Sequence, residues 1–158
     1  MRKRLTTPVP AVERTGRDRM LDLTKTATVE VTSEEKDFPI ESALDPGESK
    51  EGWRAAEAGI HTIRLIFDRP QTLNRISVVF EERETIRTQE FVLCWSPDRE
   101  GTLREIVRQQ WNFSPPYSTT EIEEYRVELC DVTVLEMTIT PDIAGGLAQA
   151  SLKSLAVY

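Results

Sequence analysis

The sequence has little of what metal centres, disulfide scaffolds and hydrolytic triads require. Its 158 residues include two cysteines and one histidine, and no CxxC pair is present, which excludes the usual zinc-binding patterns. His61 has no GxSxG motif to act with, and neighbouring glutamates such as Glu123 and Glu124 point to opposite faces of a strand. Phosphate-binding glycine loops are missing too. We therefore predict a protein that is not an enzyme and carries no cofactor.

Long apolar runs are also missing. No stretch approaches the roughly 18 residues that a membrane-spanning helix requires. The N-terminal MRKRLTTPVPAVER is basic and contains prolines where a secretory signal would have an apolar segment. We expect no membrane association and a cytoplasmic location. The length fits one domain, which we place at residues 21–158, behind a basic and flexible tail at residues 1–20.

The net charge of −7 is unevenly distributed along the chain. Residues 1–25 contain seven basic and three acidic side chains, so they carry +4 and the rest of the chain carries −11. An acidic body repels the phosphate backbone of nucleic acids. Nucleic acid is therefore not an expected partner, and the basic tail is either a contact for an anionic partner or a solvated segment.

Alternation of apolar and polar residues is the most common pattern in the chain. It is typical of β-strands with one buried face, and no long stretch keeps a helical period. About eight strands are predicted, in the segments TATVEVTS, HTIRLIFD, NRISVVFEE, QEFVLCWS, LREIVRQQWNF, EEYRVEL, VLEMTIT and ASLKSLAVY. Turns are expected at residues 69–70, 96–101 and 144–146. The pattern predicts an all-β fold, an antiparallel β-sandwich.

The inward faces of these strands define the predicted core. We expect it to contain Ile63, Leu65, Phe67, Ile76, Val78, Phe80, Val127, Leu135 and Met137. Cys94 and Cys130 lie in strand-like apolar runs, where a cysteine usually behaves as a small buried hydrophobe. We predict that both are reduced thiols in the core.

Aromatic and arginine side chains lie in or beside several predicted connections. The candidate ligand-binding residues are Arg54, Arg87, Arg108, Trp111 and Tyr117. A flat ring beside an arginine can stack on the C–H face of a sugar while the arginine binds its hydroxyls, and the same groups can anchor a protein partner. Trp53 and Trp111 either belong to such a surface or are buried in the sandwich. The segment 111–117 is the main candidate loop, because its two prolines lower the ordering cost of binding.

The order of these features resembles the galactose-binding-like family, the jelly-roll domains of discoidin, coagulation factor C-type domains and family 32 carbohydrate-binding modules. ALDPG at residues 43–47, followed by Trp53, is similar to that family's loop with an aspartate, a glycine and a tryptophan. EFVLCWSPDREGTLREIV is similar to its later hairpin, and ASLKSLAVY to its closing strand. The resemblance covers residues 21–158. It implies a jelly roll that binds carbohydrate or a glycan-like ligand through loops at one end.

The same resemblance implies a structural calcium ion, because the loop aspartate of the family commonly helps to bind one. Asp45 matches that position. The departures are Pro46, which stands where a glycine usually follows, and Lys153 and Ser154, which stand where many relatives have a glutamate. These departures weigh against calcium, and Asp45 is the only candidate metal ligand.

A second resemblance offers an alternative function. GWRAAEAGIHTIRLIF at residues 52–67 is similar to the start of the N-terminal domain of the single-strand-break repair scaffold protein, which binds a polymerase and damaged DNA. This resemblance implies an intracellular protein-interaction domain, although the acidic body weighs against its DNA part. We therefore expect a non-catalytic binding module with a carbohydrate ligand or, as the alternative, a protein partner.

Overall fold

The computed structural model describes residues 19–45 and 51–158. The tail predicted at residues 1–20 falls almost entirely outside the described residues, as do Pro46 and Gly47 of the ALDPG segment. The described part contains eight strands and two short helices. In chain order they are α1 (Leu23–Thr26), β1 (Ala27–Val31), α2 (Glu41–Leu44), β2 (Trp53–Ala58), β3 (His61–Glu81), β4 (Arg87–Ser96), β5 (Arg104–Phe113), β6 (Thr120–Thr140), β7 (Gln149–Leu152) and β8 (Ser154–Val157). Neither helix is long enough to cross a membrane.

Two long strands, β3 and β6, pair with each other through the centre of the molecule. In their first shared stretch, residues 61–66 of β3 pair with residues 134–139 of β6, and β1, β4 and β5 extend this sheet to five strands. In the second stretch, β3 pairs with the start of β6 on one side and with β8 on the other. The register shifts between Ile66 and Arg75 mark the passage from one sheet to the other. The predicted antiparallel sandwich is confirmed.

The core lies between the two sheets, where the inward side chains of both meet. The rings of Phe80 on β3 and Phe91 on β4 lie 5.0 Å apart between centroids, and Tyr125 of β6 meets Phe91 edge-on at 6.4 Å. All the predicted core residues are buried except Val127, which is partly buried. Each fully buried large side chain of this kind contributes about 1.5–3 kcal/mol to the hydrophobic stabilisation.

The strand boundaries differ from the prediction although the count agrees. HTIRLIFD and NRISVVFEE form one continuous strand, β3, and the turn expected at residues 69–70 is an exposed bend within it. EEYRVEL and VLEMTIT likewise belong to one strand, β6. ASLKSLAVY is divided into β7 and β8 at Lys153. The turns at 96–101 and 144–146 are confirmed.

The predicted connection that contains Trp53 is a strand, β2, which pairs antiparallel with β7. Trp53 is 1% exposed, and its indole Nε1 donates a hydrogen bond of 3.1 Å to the carbonyl of Ser33. Of the two alternative roles predicted for Trp53, the buried one is confirmed. The β2–β7 ribbon therefore closes one end of the sandwich with the tryptophan beneath it.

The two cysteines are free, as predicted, but neither is fully buried. Cys94 is partly buried and Cys130 is exposed. On β6 the inward positions are Tyr125, Val127 and Leu129, so the next residue points to solvent. The prediction that Cys130 lies in the core is therefore wrong.

Candidate functional site

Four connections lie at the end of the sandwich that the β2–β7 ribbon covers. The registers show this, because the start of β3 meets the end of β6 at His61–Ile139, the start of β4 meets the end of β5 at Arg87–Phe113, and the end of β3 meets the start of β6 at Glu81–Thr120. We call this region the loop end. Its connections are the β2–β3 turn (59–60), the β3–β4 loop (82–86), the β5–β6 turn (114–119) and the β6–β7 loop (141–148).

Backbone hydrogen bonds join these connections to one another. The amide of Glu82 donates to the carbonyl of Thr119 at 2.8 Å, which links the β3–β4 loop to the β5–β6 turn. The amide of Ile143 donates to the carbonyl of Thr88 at 2.9 Å. Gly59 and Ala148 are joined in the same way at 3.3 Å, which links the β2–β3 turn to the β6–β7 loop.

The loop end carries most of the exposed large apolar side chains of the described residues. Elsewhere in the described part, only Met20 and Ile122 belong to this class. Exposed apolar side chains that are gathered in one region often mark a binding surface. Those of the loop end are Ile60, Ile86, Tyr117, Ile143 and Leu147, of which Tyr117 and Leu147 are 92% and 90% exposed.

The β5–β6 turn holds Tyr117 away from the sandwich. Ser114 and Ser118 bond to each other through both backbone amides, at 2.9 and 3.1 Å, and the amide of Tyr117 donates to the carbonyl of Ser114 at 2.9 Å. Pro115 and Pro116 fix two φ angles in this turn. The turn therefore presents the tyrosine ring to solvent from a hydrogen-bonded base.

A charged cleft of about 440 Å³ lies next to this turn. Its lining residues are Glu51, Arg54, Glu81, Glu82, Arg83, Glu84 and Lys153. Arg54 lies 4.2 Å from the centre of the Phe38 ring and forms an ion pair of 3.8 Å with Glu35. Arg83 pairs with Glu81 at 2.9 Å. The cleft thus offers both hydrogen-bond donors and acceptors at its surface, and its lining residue Glu82 bonds to Thr119 of the turn that carries Tyr117.

Arg87, predicted to contact a ligand, is buried beneath the loop end. Its side chain is 1% exposed, and Nε donates to Oε1 of Glu82 at 2.7 Å. Nη1 donates to the carbonyl of Pro141 at 2.7 Å and to Oε1 of Gln89 at 3.2 Å. The prediction of direct ligand contact does not agree with this burial, and the guanidinium instead joins parts of the protein.

Arg108 and Trp111 lie on opposite faces of β5. Arg108 is on the outer face, where its guanidinium binds both Glu90 and Glu105, and this contact, with that of Gln110, lowers the pKa of Glu90. It stands five residues before Phe113, about 17 Å along the strand, so the expectation that it reaches the loop end is wrong. Trp111 is partly buried on the inner face and packs against the core. The predicted loop 111–117 is therefore strand as far as Phe113.

Asp45, the predicted calcium ligand, borders residues that the structure does not describe. This residue ends α2, where its amide donates to the carbonyl of Glu41 at 2.9 Å. Within the ranges that the structure describes, no three histidine, cysteine or acidic side chains are grouped to hold a metal. Calcium binding at Asp45 therefore stays a prediction, and the ligand recognition proposed below does not depend on it.

His61 has a structural environment. It is 8% exposed, and its ring nitrogens lie 2.9 Å from Oγ1 of Thr32 and 3.0 Å from the carbonyl oxygen of Glu57. Both nitrogens are therefore engaged within the protein, which fits a structural role at the start of β3.

An acidic pair between the sheets was not predicted from the sequence. Glu121 is fully buried, accepts a 3.4 Å hydrogen bond from Gln89 through Oε1, and has no partner for Oε2 among the described residues. Burial and the neighbouring Glu123 raise the pKa of Glu121 to about 8. Burial also raises the pKa of Tyr125. The sequence did contain a sign of this cluster, because Glu121, Glu123 and Tyr125 are spaced two residues apart and hence share one face of β6.

Neither a protein-family model nor a curated protein sequence matches the chain. Several solved structures share its fold. The family 32 carbohydrate-binding module of Clostridium perfringens NanJ, solved in complex with galactose, is 14% identical with a TM-score of 0.63, over 87% of this chain and 96% of that one. A further family 32 module, from a family 31 glycoside hydrolase of Clostridium perfringens, is 20% identical with a TM-score of 0.63, over 91% and 97%.

A third similar structure is larger. The Ruminococcus gnavus GH29 fucosidase, in complex with fucose, is 13% identical with a TM-score of 0.65, over 87% of this chain but only 26% of the fucosidase. The likeness is to a portion of that enzyme. At these identities the similarity concerns the fold alone, and it confirms the jelly-roll sandwich.

Proposed function

We propose that this galactose-binding-like jelly roll is a non-catalytic carbohydrate-binding module whose ligand is held at the loop end. The observation that carries the proposal is the placement of Tyr117, 92% exposed, beside a cleft of charged side chains. A pyranose has an apolar C–H face and a rim of hydroxyl groups. An exposed ring next to several donors and acceptors matches both.

The charged cleft supplies the polar half of this recognition. A guanidinium can donate paired hydrogen bonds to vicinal hydroxyls, and carboxylates accept hydrogen bonds from them. Arg54 is 43% exposed in its side chain although it pairs with Glu35, so part of its guanidinium faces the cleft. Sugar binding of this kind requires neither a nucleophile nor a proton donor.

Structures of similar fold support the ligand class. Besides the module bound to galactose, the similar structures include one in complex with GalNAc-β-1,3-galactose, one in complex with 4,5-unsaturated mannuronic acid, and a pectin-binding module. Those ligands belong to those proteins. For this chain they favour carbohydrate as the ligand class without selecting one sugar.

A glycan array followed by calorimetry with the best glycan tests the proposal. We expect the natural sequence to bind at least one glycan, and Tyr117→Ala and Arg54→Gln to weaken that binding by about 1 kcal/mol or more each. Arg108→Gln is the matched control, since it removes another ion-paired arginine from the outer face of β5 and leaves affinity unchanged. Equal affinity for all four proteins contradicts the proposed site, and an array without any bound glycan contradicts the ligand class.

One observation favours a protein partner as the second candidate function. Four of the exposed loop-end side chains are aliphatic, and Ile60 and Ile143 line a separate pocket of about 220 Å³ with Pro141 and Ala148. Aliphatic side chains give sugars no ring to stack on, whereas they are common in protein interfaces. If Ile143→Asp abolishes capture of a specific partner while glycan binding persists, the two functions use different parts of the loop end.

A further inference from the structure

The guanidinium of Arg87 is the most buried charged group of the loop end. Its side chain is 1% exposed, whereas that of its partner Glu82 is 20% exposed. A buried charge is strongly unfavourable unless ion pairs and hydrogen bonds replace its hydration. Burial alone raises the pKa of Glu82. The hydrogen bond from Arg87, together with smaller contacts, outweighs this effect, and the pKa of Glu82 is therefore below its usual range. Glu82 is therefore ionised at neutral pH.

The contacts of Arg87 belong to different connections of the loop end. Glu82 lies in the β3–β4 loop, Pro141 begins the β6–β7 loop, and Phe113 is the last residue of β5 before the turn that carries Tyr117. The guanidinium carbon lies 4.8 Å from the centre of the Phe113 ring, while the hydrogen bonds to Glu82 and Pro141 are both 2.7 Å. One side chain thus contacts two of the four connections and the last strand residue before a third.

The same network reaches the far side of the Tyr117 turn. Arg87 donates to Gln89, and Gln89 donates to Glu121 at the start of β6. Phe113 precedes the turn and Glu121 follows it, so both stems of the turn are joined to the guanidinium. The amide of Glu82 bonds in addition to Thr119 within the turn.

These contacts require the shape of an arginine. The guanidinium is planar with several donors in fixed directions, whereas a lysine ammonium is a single charge on a flexible stem. A lysine at position 87 can keep an ion pair with Glu82 but cannot also reproduce the bond to Pro141 and the contact over the Phe113 ring.

We propose that Arg87 is a positioning residue, which holds the β3–β4 loop, the β5–β6 turn and the β6–β7 loop in the arrangement that presents Tyr117 and the charged cleft to a ligand. The affinity part of this inference rests on the proposed carbohydrate function. The positional part does not, because the arrangement of the connections can be measured without a ligand.

Amide hydrogen exchange tests the positional part. In Arg87→Lys we expect exchange in residues 114–119 and 141–148 to accelerate about tenfold, with little change in the central pairs of β3 and β6. Arg75→Lys is the matched control, because Arg75 also forms an ion pair, with Glu124, and lies 3.9 Å from the Tyr158 ring, but on the outer face of β3. Unchanged exchange in both loop segments of Arg87→Lys overturns the proposal.

Glu82→Gln provides a second, milder variant if Arg87→Lys does not fold. It keeps the shape of the side chain and removes the charge that faces Arg87. We expect faster exchange in the β3–β4 loop and in residues 114–119, and a uniform increase across the whole domain contradicts the proposal.

The affinity arm uses galactosides on the array and the best-bound of them in calorimetry. We expect Arg87→Lys to bind about tenfold more weakly than the natural sequence, and Arg75→Lys to bind equally well. In a Tyr117→Ala background the loss caused by Arg87→Lys should become smaller, because the part of it that acts through the turn is already gone. Additive losses overturn the positioning role. If no galactoside binds the natural sequence, galactoside recognition fails, while the exchange arm still decides the role of Arg87.

Discussion

The two ends of the sandwich are built from the same strands but expose different side chains. At the end opposite the loop end, the chain turns at the bend within β3 and at the connection between β4 and β5. The exposed residues there are Asp68, Arg69, Pro70, Asp98, Arg99 and Glu100. At the loop end the exposed residues include Ile60, Ile86, Tyr117, Ile143 and Leu147.

This difference shows which exposed side chains the turns themselves require and which they do not. The opposite end shows that these strands can be connected by charged residues and proline. The apolar side chains of the loop end are therefore not required by the turns in which they stand, and their exposure is unfavourable in water. The ligand or partner proposed for the loop end would remove these side chains from water.

The largest effect should come from the tryptophan under the loop end. We expect Trp53→Ala to lower the free energy of unfolding by about 3–5 kcal/mol, because a fully buried indole is lost and a cavity is left. Tyr117→Ala, in the same region but exposed, should change it by less than about 0.5 kcal/mol. Urea unfolding of both variants measures this, and a similar loss in the two would contradict the distinction between the buried and exposed aromatic residues.

Glu121→Gln should change how stability depends on pH. The pKa of Glu121 is about 8 in the folded protein and has an ordinary value of 4.5. Because the unfolded chain releases this proton first, the contribution of the group is complete below about pH 4, declines as the pH rises, and is lost by about pH 8.

Unfolding at several pH values checks this prediction. Between pH 5 and pH 8 the natural sequence should lose on the order of a few kcal/mol more stability than Glu121→Gln. The variant keeps an acceptor for Gln89, so its fold should persist. Parallel pH profiles for the two proteins would mean that Glu121 is ionised in the folded state at neutral pH.

Glycine substitutions compare the turns at the two ends. A Cβ on Gly101, at the opposite end, would lie 2.7 Å from Cβ of Asp98 and 2.9 Å from Oγ of Ser96, so we expect Gly101→Ala to cost about 1–3 kcal/mol. Gly145 at the loop end has φ of +85° and open space around it, so Gly145→Ala should cost about 1 kcal/mol from backbone strain alone. Thermal melts rank the two variants, and the reverse order would show that steric crowding at Gly101 is relieved more easily than the backbone strain at Gly145.

The smallest effect should come from the exposed leucine of the loop end. Leu147 is 90% exposed, and we expect Leu147→Ser to change the free energy of unfolding by less than about 0.5 kcal/mol. A loss above 1 kcal/mol in urea unfolding would show that the apolar side chain supports the fold. The contrast between the two ends would then no longer indicate a binding surface.

Alternation predicted the sandwich well because it reports one buried face directly. It located the inward residues of β3, such as Ile63 and Phe80, but it did not show that β3 continues through the bend at residues 69–70. Turn signals mark where a chain changes direction, and a strand that crosses between two sheets does so without ending. For β2, the alanine-rich sequence after Trp53 hides the strand, since alanine is not typical of strands.

The site was predicted less completely because its arrangement depends on distant parts of the chain. Local features were enough to suggest that Tyr117 and Arg54 lie near one end of the sandwich. The burial of Arg87 depends on the carbonyl of Pro141, which is 54 positions away, and no local pattern contains that information. The spacing of Glu121 and Glu123 places them on one face, but the burial of Glu121 depends on Gln89, which lies on another strand.

The shared strands β3 and β6 also determine how the chain can reach this structure. Their pairing at Thr62 and Thr138 joins positions 76 residues apart, whereas Glu81 and Thr120 at the other extremity of the ladder are much closer in sequence. Bringing distant segments together is entropically unfavourable until shorter loops have closed. The ladder should therefore form from the Glu81–Thr120 side. The pairing of β8 with β3, which joins Ile76 to Val157 from the far end of the chain, should be completed late.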